Sequence, residues 1–376
     1  MRILHLTDHY PPVLGGIETH VSELAGRQAR RGDDVSVLTS TSATADGRHR
    51  DDTGPVMVRR ARSTIEGRQV DFASYDVVHA HLSVVAPFSS PLAARAARRG
   101  VPTIVTVHSL WNGMGPVPAT AASLAGLRGA PVLWTAVSQV AAHQLARRLP
   151  RRSRVRVLPN AVDAEPRDRT PATRAGRPVR LVSTMRIARR KRPLQLLRMF
   201  DELRRTVPVP LELTFVGDGP LRPSLERQVA RAGLQEAVTV TGRVEPAEVL
   251  ERLAEADVYV APAVLESFGL AALEARCVGL PVVGQVASGV TEFVRDGVEG
   301  MLCGSDTEMV RRLRELVVDD ELRVRMSEHN RTVGSTMTWA ASLSRHDATY
   351  AAACRPAPDR VTPEWAARAL LGAVDR

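Results

Sequence analysis

The sequence predicts an α/β protein made of two doubly wound, Rossmann-like domains facing a central cleft. Three observations predict it. Short apolar runs alternate with amphipathic stretches along the chain, the pattern of parallel strands joined by crossover helices. The alternation breaks at one tract rich in Pro, Arg and small residues, Ala164 to Pro178, which lacks periodicity and reads as an exposed linker. The length of 376 residues, with 44% hydrophobic and 24% charged, suits two domains that each bury a core.

In chain order, strands are expected at Arg2–Thr7, Val35–Thr39, Val56–Arg60, Val77–His81, Thr103–His108, Trp134–Val137 and Val155–Leu158, with helices at Ile17–Arg30, Ala86–Arg99 and Val140–Arg148. After the linker a second series follows, with strands at Val179–Thr184, Glu212–Gly217, Val238–Thr241, Val258–Ala261 and Pro281–Gly284. Glu308–Val318, Glu321–Val333 and Trp339–Ala353 read as terminal helices. The expected division is a first domain at residues 1–165, a linker at 166–178, a second domain at 179–337, and a segment at 338–376 whose helix returns toward the first domain before a loose tail. In such sheets ligands bind beyond the carboxyl ends of the strands, so the cleft is the expected site.

The chain carries 51 basic and 41 acidic residues, and residues 1–165 alone hold 20 against 13. Few aromatics and no zinc-finger, basic-zipper or RNP-like string argue against nucleic acid, while a basic face toward an anionic substrate or a membrane surface stays open. No apolar run approaches the roughly 20 residues of a bilayer span, and the N-terminus does not read as a signal peptide, so a cytoplasmic protein is expected. Cys277, Cys303 and Cys354 fit no disulfide framework or zinc knuckle and read as small buried hydrophobes.

Fifty of the 51 basic residues are arginine, which makes Lys191 conspicuous. A compact ammonium differs from a planar guanidinium fork, and a point-charge site beside phosphate can require it. In LVSTMRIARRKRPLQLLRMF a buried strand runs into a basic loop, and Pro193 stands where a helix begins. Arg186 and Lys191 thus lie on a loop feeding a helix N-terminus, an anion site by construction. RIARRKR would ordinarily be a solvated loop; its place at a strand end and the single lysine argue otherwise.

In VYVAPAVLESFGLAALEARCVGLPVV a strand ends at Ala261, a loop carries Glu266, and a helix opening at Gly269 carries Glu274. Glu266 with the backbone of Phe268 and Gly269 can face a polar ligand, and Glu274 can accept hydrogen bonds from vicinal hydroxyls. The pattern suits a sugar and a ribose.

These residues resemble the GT-B fold glycosyltransferases of the large retaining family four (glycosyl transferases group 1), which includes bacterial mannosyl- and N-acetylglucosaminyltransferases. The most specific piece is the pair Glu266 and Glu274, with seven residues between them around SFG; PPVLGGIETHV, DVVHAH, TVHSL, LPNAVD, FVGDGP and SGVTEFVRDG support it in order and spacing. The resemblance implies that Arg186 and Lys191 hold the donor diphosphate, that Glu274 binds the ribose, and that Glu266 with the backbone around Phe268, Gly269 and Leu270 faces the transferred sugar. It implies that Gly15 and Gly16 let backbone approach the donor, and that His108 lies near the sugar hydroxyls. Gly217 and Gly219 are read as turn glycines leaving room for the base. Asn160 is expected to shape the turn between domains and His20 to pack. His79 and His81 are expected to diverge to opposite strand faces, so that one meets the cleft and a metal pair does not form.

Three departures stand out. Met185 and Arg192 occupy positions where many relatives have glycine, and Ser288 replaces the first of two glycines near Glu292. No DxD string occurs, so the expectation is metal-independent transfer without a cofactor, a nucleotide diphosphate sugar being the co-substrate. The resemblance implies retention of configuration. A nucleotide-sugar epimerase or hydrolase on the same fold is the alternative enzyme, a pyridoxal-dependent phosphorylase is disfavoured because its lysine could only be Lys191, and a basic membrane- or nucleic-acid-binding protein is the non-enzyme alternative. The acceptor is a hydroxyl of unread identity, expected to meet loops at Thr44–Pro55 and Leu110–Ala130.

Overall fold

A computed structural model of the chain describes residues 1–13, 15–42, 54–83, 85–110, 126–127, 129–150, 153–163 and 176–355. Most of the linker and of the two expected acceptor loops, and the tail beyond residue 355, lie outside the described residues.

The first sheet comprises β1 (Arg2–Thr7), β2 (Asp34–Thr39), β3 (Met57–Arg60), β4 (Val77–Leu82), β5 (Thr103–Val107), β6 (Leu133–Ala136) and β7 (Val155–Val157), all parallel in the order β3-β2-β1-β4-β5-β6-β7. The second holds β8 (Val179–Thr184), β9 (Leu211–Val216), β10 (Val238–Val240), β11 (Val258–Ala261), β12 (Val282–Gln285) and β13 (Gly300–Cys303), parallel in the order β10-β9-β8-β11-β12-β13. The strands are apolar runs because helices cover both faces of such sheets. In both sheets the order reverses once, between β1 and β4 and between β8 and β11, and each reversal opens a crevice at the strand ends.

The helices are α1 (Gly16–Arg30), the single turn α2 (Thr64–Gly67), α3 (Ser89–Arg98), α4 (Gln139–Ala146), α5 (Pro193–Thr206), α6 (Arg222–Arg231), α7 (Pro246–Glu255), α8 (Leu270–Cys277), α9 (Asp306–Val318), α10 (Asp320–Thr332) and α11 (Trp339–Cys354). Side chains of Ser63, Ser138, Ser305, Asp319 and Thr338 cap α2, α4, α9, α10 and α11. The cap of α3 comes from afar: Asp8, just past β1, accepts from the amides of Phe88 at 2.8 Å and Ser89 at 3.0 Å and from the Ser89 hydroxyl.

The final helix, α11, packs on the first half. Trp339 stacks on His20 with ring centroids 5.4 Å apart, the Arg27 guanidinium lies 4.9 Å over Trp339, and Arg31 pairs bidentately with Asp347 at 2.9 and 2.6 Å. A parallel bridge between Val162 and Thr338 joins the chain leaving the first sheet to the start of this helix.

Two sequence expectations change. The strand β13 was not foreseen: its four residues, GMLC, include no β-branched or aromatic side chain to mark a strand. The three cysteines are free, but only Cys303 is buried; Cys354 is exposed at the end of α11 and Cys277 is half-buried. Among the described residues no helix is long and apolar enough to cross a membrane.

Candidate active site

β8 leaves its sheet through Met185, Arg186 and Ile187, where the two apolar side chains turn inward and Arg186 turns out to solvent. Arg186 forms no ion pair among the described residues. The segment is held down by backbone: the Ile187 amide donates to Asp218 at 2.8 Å and its carbonyl accepts from Leu221 at 2.9 Å. This explains Gly217 and Gly219 differently from the sequence reading. A Cβ on Gly217 would strike the Met185 carbonyl, and one on Gly219 would sit 2.6 Å from the Ile187 carbonyl oxygen. Their missing side chains make room for the loop that carries Arg186.

Residues Arg189–Lys191 then form one 3-10 turn, and α5 starts at Pro193. Between them Arg192 has φ 59°, the left-handed conformation that glycine adopts without steric cost and other residues rarely do. Its guanidinium explains how arginine tolerates it: bidentate bonds to Asp306 at 2.8 and 2.6 Å and a third to the Pro262 carbonyl at 3.0 Å. The loop after β8, the exit of β11 and the start of α9 are thereby tied together.

From β11 the chain reaches Glu266, whose carboxylate pairs with the ammonium of Lys191; both are part-buried. The Glu266 carbonyl accepts from the Gly289 amide at 2.8 Å, an approach that leaves no space for a Cβ, which would strike Ser267. Gly269 begins α8 with φ 94°, and a Cβ there would also press on Val290 at 3.1 Å. Phe268 is fully buried against Phe293, ring centroids 5.5 Å apart, so only its backbone is available to a ligand. Glu274, one turn into α8, has its pKa raised to about 7 by burial.

Beneath this pair lies a residue that the sequence reading missed. Tyr259 of β11 donates its phenol to the Thr184 carbonyl at 3.1 Å, and burial, then Glu266 and Glu274, push its pKa up. The hydroxyl of the same Thr184, at the end of β8, is buried without a hydrogen-bond partner among the described residues, as is Oδ1 of Asn160. Unpartnered polar atoms at strand ends are where a polar ligand regains hydrogen bonds.

Across the cleft, a methyl on Gly16 would stand 3.5 Å from Leu270, so α1 and α8 meet there N-terminus to N-terminus. Gly15 is extended at φ 174°, and its Cβ would collide with the Glu18 carboxylate. Arg190 reaches over to the Leu110 carbonyl at 3.1 Å, two residues beyond His108. Glu292 accepts from the Gln139 amide at 2.5 Å, placing a carboxylate of the second half on the N-terminus of α4.

His108 is buried, and its Nε2 lies 3.0 Å from Nδ1 of His81. The expectation for His79 and His81 is wrong: residues two apart on a strand share a face, because the side-chain period is two. Both point under α1 and α11, ring centroids 4.2 Å apart, with His5 beside them; nitrogens of His5, His79 and His81 lie within 4.8 Å of one another. All six ring nitrogens of these three residues have hydrogen-bond partners. His20 packs as foreseen, with Nδ1 unpartnered among the described residues.

Comparison with known proteins gives one picture. The family profile described as Glycosyltransferase Family 4 matches residues 14–166, and that described as Glycosyl transferases group 1 matches residues 165–333. A GDP-mannose-dependent alpha-(1-6)-phosphatidylinositol monomannoside mannosyltransferase of Mycolicibacterium smegmatis is 28% identical over 82% of this chain and 87% of its own. A D-inositol 3-phosphate glycosyltransferase of Nocardiopsis dassonvillei is 28% identical over 91% and 90%. Among solved structures, Anabaena Alr3699/HepE in complex with UDP superposes with a TM-score of 0.75 at 18% identity, covering 94% of this chain and 100% of that one. Sucrose-phosphate synthase from Thermosynechococcus elongatus gives 0.73 at 18%, covering 93% and 98%.

Proposed function

The chain belongs to family four of the GT-B glycosyltransferases, the glycosyl transferases group 1, and on that premise we propose that it is a retaining enzyme moving a hexosyl or N-acetylhexosaminyl group from a nucleotide diphosphate sugar to a hydroxyl acceptor. The observation that carries the proposal is the meeting of Lys191 and Glu266 where β8 and β11 end, at the reversal of strand order, with Arg186 exposed on the same loop. In the proposed mechanism Arg186, Lys191 and the N-terminus of α5 stabilise the charge that develops on the departing diphosphate, and Glu274 holds the ribose. Preorganised donors lower that barrier, each factor of ten in rate needing about 1.4 kcal/mol. The acceptor attacks from the side the diphosphate leaves, and a phosphate oxygen takes its proton. Transfer on this scheme needs no metal and no cofactor.

The relatives supply the first substrates to try: one is named for GDP-mannose and a phosphatidylinositol mannoside, another for D-inositol 3-phosphate. A lipid-linked acceptor would bring the basic first half of this cytoplasmic enzyme against the inner membrane face. The test is a panel of nucleotide sugars with and without inositol-containing acceptors, run in excess chelator, with the product anomer read by NMR. Acceptor-dependent release of nucleotide diphosphate and a retained anomer are expected. Release without acceptor would make the protein a hydrolase, and loss of turnover in chelator would restore a metal to the mechanism.

A further inference from the structure

A buried line of hydrogen bonds runs through the first half with its direction fixed at one end. The Val105 carbonyl can only accept, and the Thr135 hydroxyl donates to it at 3.2 Å. Thr135 therefore accepts from Thr106 at 2.5 Å, and Thr106 in turn accepts from Nε2–H of His79 at 2.6 Å. A neutral imidazole carries one N–H, so Nδ1 of His79 accepts from the Tyr350 hydroxyl at 3.0 Å. The Tyr350 oxygen accepts from the Gln28 amide nitrogen at 3.0 Å, which turns Oε1 of Gln28 to Nε2–H of His5 at 2.7 Å. Nδ1 of His5 then accepts from Nε2–H of His81 at 2.9 Å, and Nδ1 of His81 from Nε2–H of His108 at 3.0 Å.

Each step leaves one choice for the next. The last ring leaves its Nδ1 at the exit of β5, with no hydrogen-bond partner among the described residues. The rings are neutral, as the assignment requires: burial lowers His5 to about 4 and His108 to about 3, and holds His79 and His81 well below the usual imidazole value.

We propose that Tyr350 and Gln28 are positioning residues for His108, holding its ring in the Nε2–H tautomer so that Nδ1 accepts a hydrogen bond from a hydroxyl of the transferred sugar. The identity of that hydroxyl rests on the glycosyl-transfer reading; the tautomer does not. Tyr350 belongs to α11, so the last helix of the described chain reaches the site through the line. A metal ion held by His5, His79 and His81 is the competing use of these rings, and it would have to break the line.

The experiment is NMR of the full-length protein with 15N-labelled histidine, His108 being assigned from His108→Gln, on wild type, Tyr350→Phe and Ser342→Ala. Ser342 lies on the same helix beside His346, outside the line. In wild type His108 is expected as the Nε2–H form alone. Tyr350→Phe cuts the line and is expected to add the Nδ1–H form and lower kcat roughly five-fold, the loss of about one hydrogen bond, while binding of UDP or GDP is unchanged. Ser342→Ala is expected to match wild type in both readouts. Should Tyr350→Phe fail to fold, Thr135→Val releases the same line from its fixed end. The proposal is overturned by an Nδ1–H His108 in wild type, by a His108 signal indifferent to the cut, or by stoichiometric zinc that His5→Ala removes. Expected tautomers in a protein that turns over no nucleotide sugar would overturn the glycosyl-transfer reading and leave the fixed tautomer standing.

Discussion

The ammonium of Lys191 and the carboxylate of Glu266 are paired across the exits of β8 and β11, the two strands between which the order of the second sheet reverses. Each therefore neutralises the other when no ligand is bound. A diphosphate entering this crevice competes with Glu266 for Lys191, and a part-buried pair of this kind contributes at most about 1 kcal/mol, so the exchange is easy.

Two variants separate the partners. Lys191→Ala should abolish the thermal shift given by UDP or GDP and lower turnover at least 100-fold, with the melting temperature of the free protein little changed. Glu266→Gln should do the opposite to binding: with its competitor neutralised, Lys191 should hold the nucleoside diphosphate up to about five-fold more tightly by calorimetry, while transfer is lost. Normal turnover in Lys191→Ala would remove the residue from the mechanism.

Arg192 offers a test of backbone against side chain. It holds φ 59° because Asp306 and the Pro262 carbonyl anchor its guanidinium. Arg192→Ala keeps the strain and loses the anchor, so denaturant unfolding should show a loss of about 1–3 kcal/mol and donor KM should rise. Arg192→Gly loses the anchor but removes the strain, and should retain most of the activity. Equal damage from both would mean that the pair with Asp306, not the backbone, sets the loop.

Glu274 gives the pH dependence. Burial raises its carboxyl from 4.5 to about 7, so the fold disfavours the charged form. Its contribution to stability is complete below about 4.5 and lost as pH rises through 7, at most about 3 kcal/mol. In the proposed role Glu274 accepts from ribose hydroxyls more strongly when charged, so donor affinity should move the other way and weaken as pH falls below 7. Glu274→Gln should flatten both profiles, raising the melting temperature at pH 8 while weakening the donor; calorimetry and thermal shift at pH 6 and 8 read both.

Much of this was legible in the sequence because strand ends are legible. The run VRLVST and the Pro193 start signal locate the anion loop, and the spacing of Glu266 and Glu274 places one carboxylate before a helix and one within it. What was not legible depends on partners far along the chain. No local pattern announces that Arg192 will find Asp306, that Asp8 will cap α3, or that Tyr350 will lie beneath β4. The histidines are a different case: residues two apart on β4 share one face, so the strand period itself puts His79 and His81 together. At Gly217 and Gly219 a side chain would meet the protein's own carbonyls, a close approach between distant segments that no local pattern announces.

The contact between Glu292 and Gln139 makes a last prediction, about how the halves stay together. The carboxylate sits at 2.5 Å on the first amide of α4, where an anion gains from both the unpaired N–H and the helix dipole, typically about 0.5–2 kcal/mol. Because the bond crosses from one half to the other, its energy favours the closed arrangement rather than the fold of either half. Glu292→Ala should therefore leave the melting temperature nearly unchanged but weaken the donor several-fold, since binding must then also close the cleft, and small-angle scattering should report a larger radius of gyration. Glu292→Gln keeps an acceptor without the charge and should fall between. A drop in kcat at unchanged donor affinity and unchanged radius would instead place Glu292 against the transferred sugar.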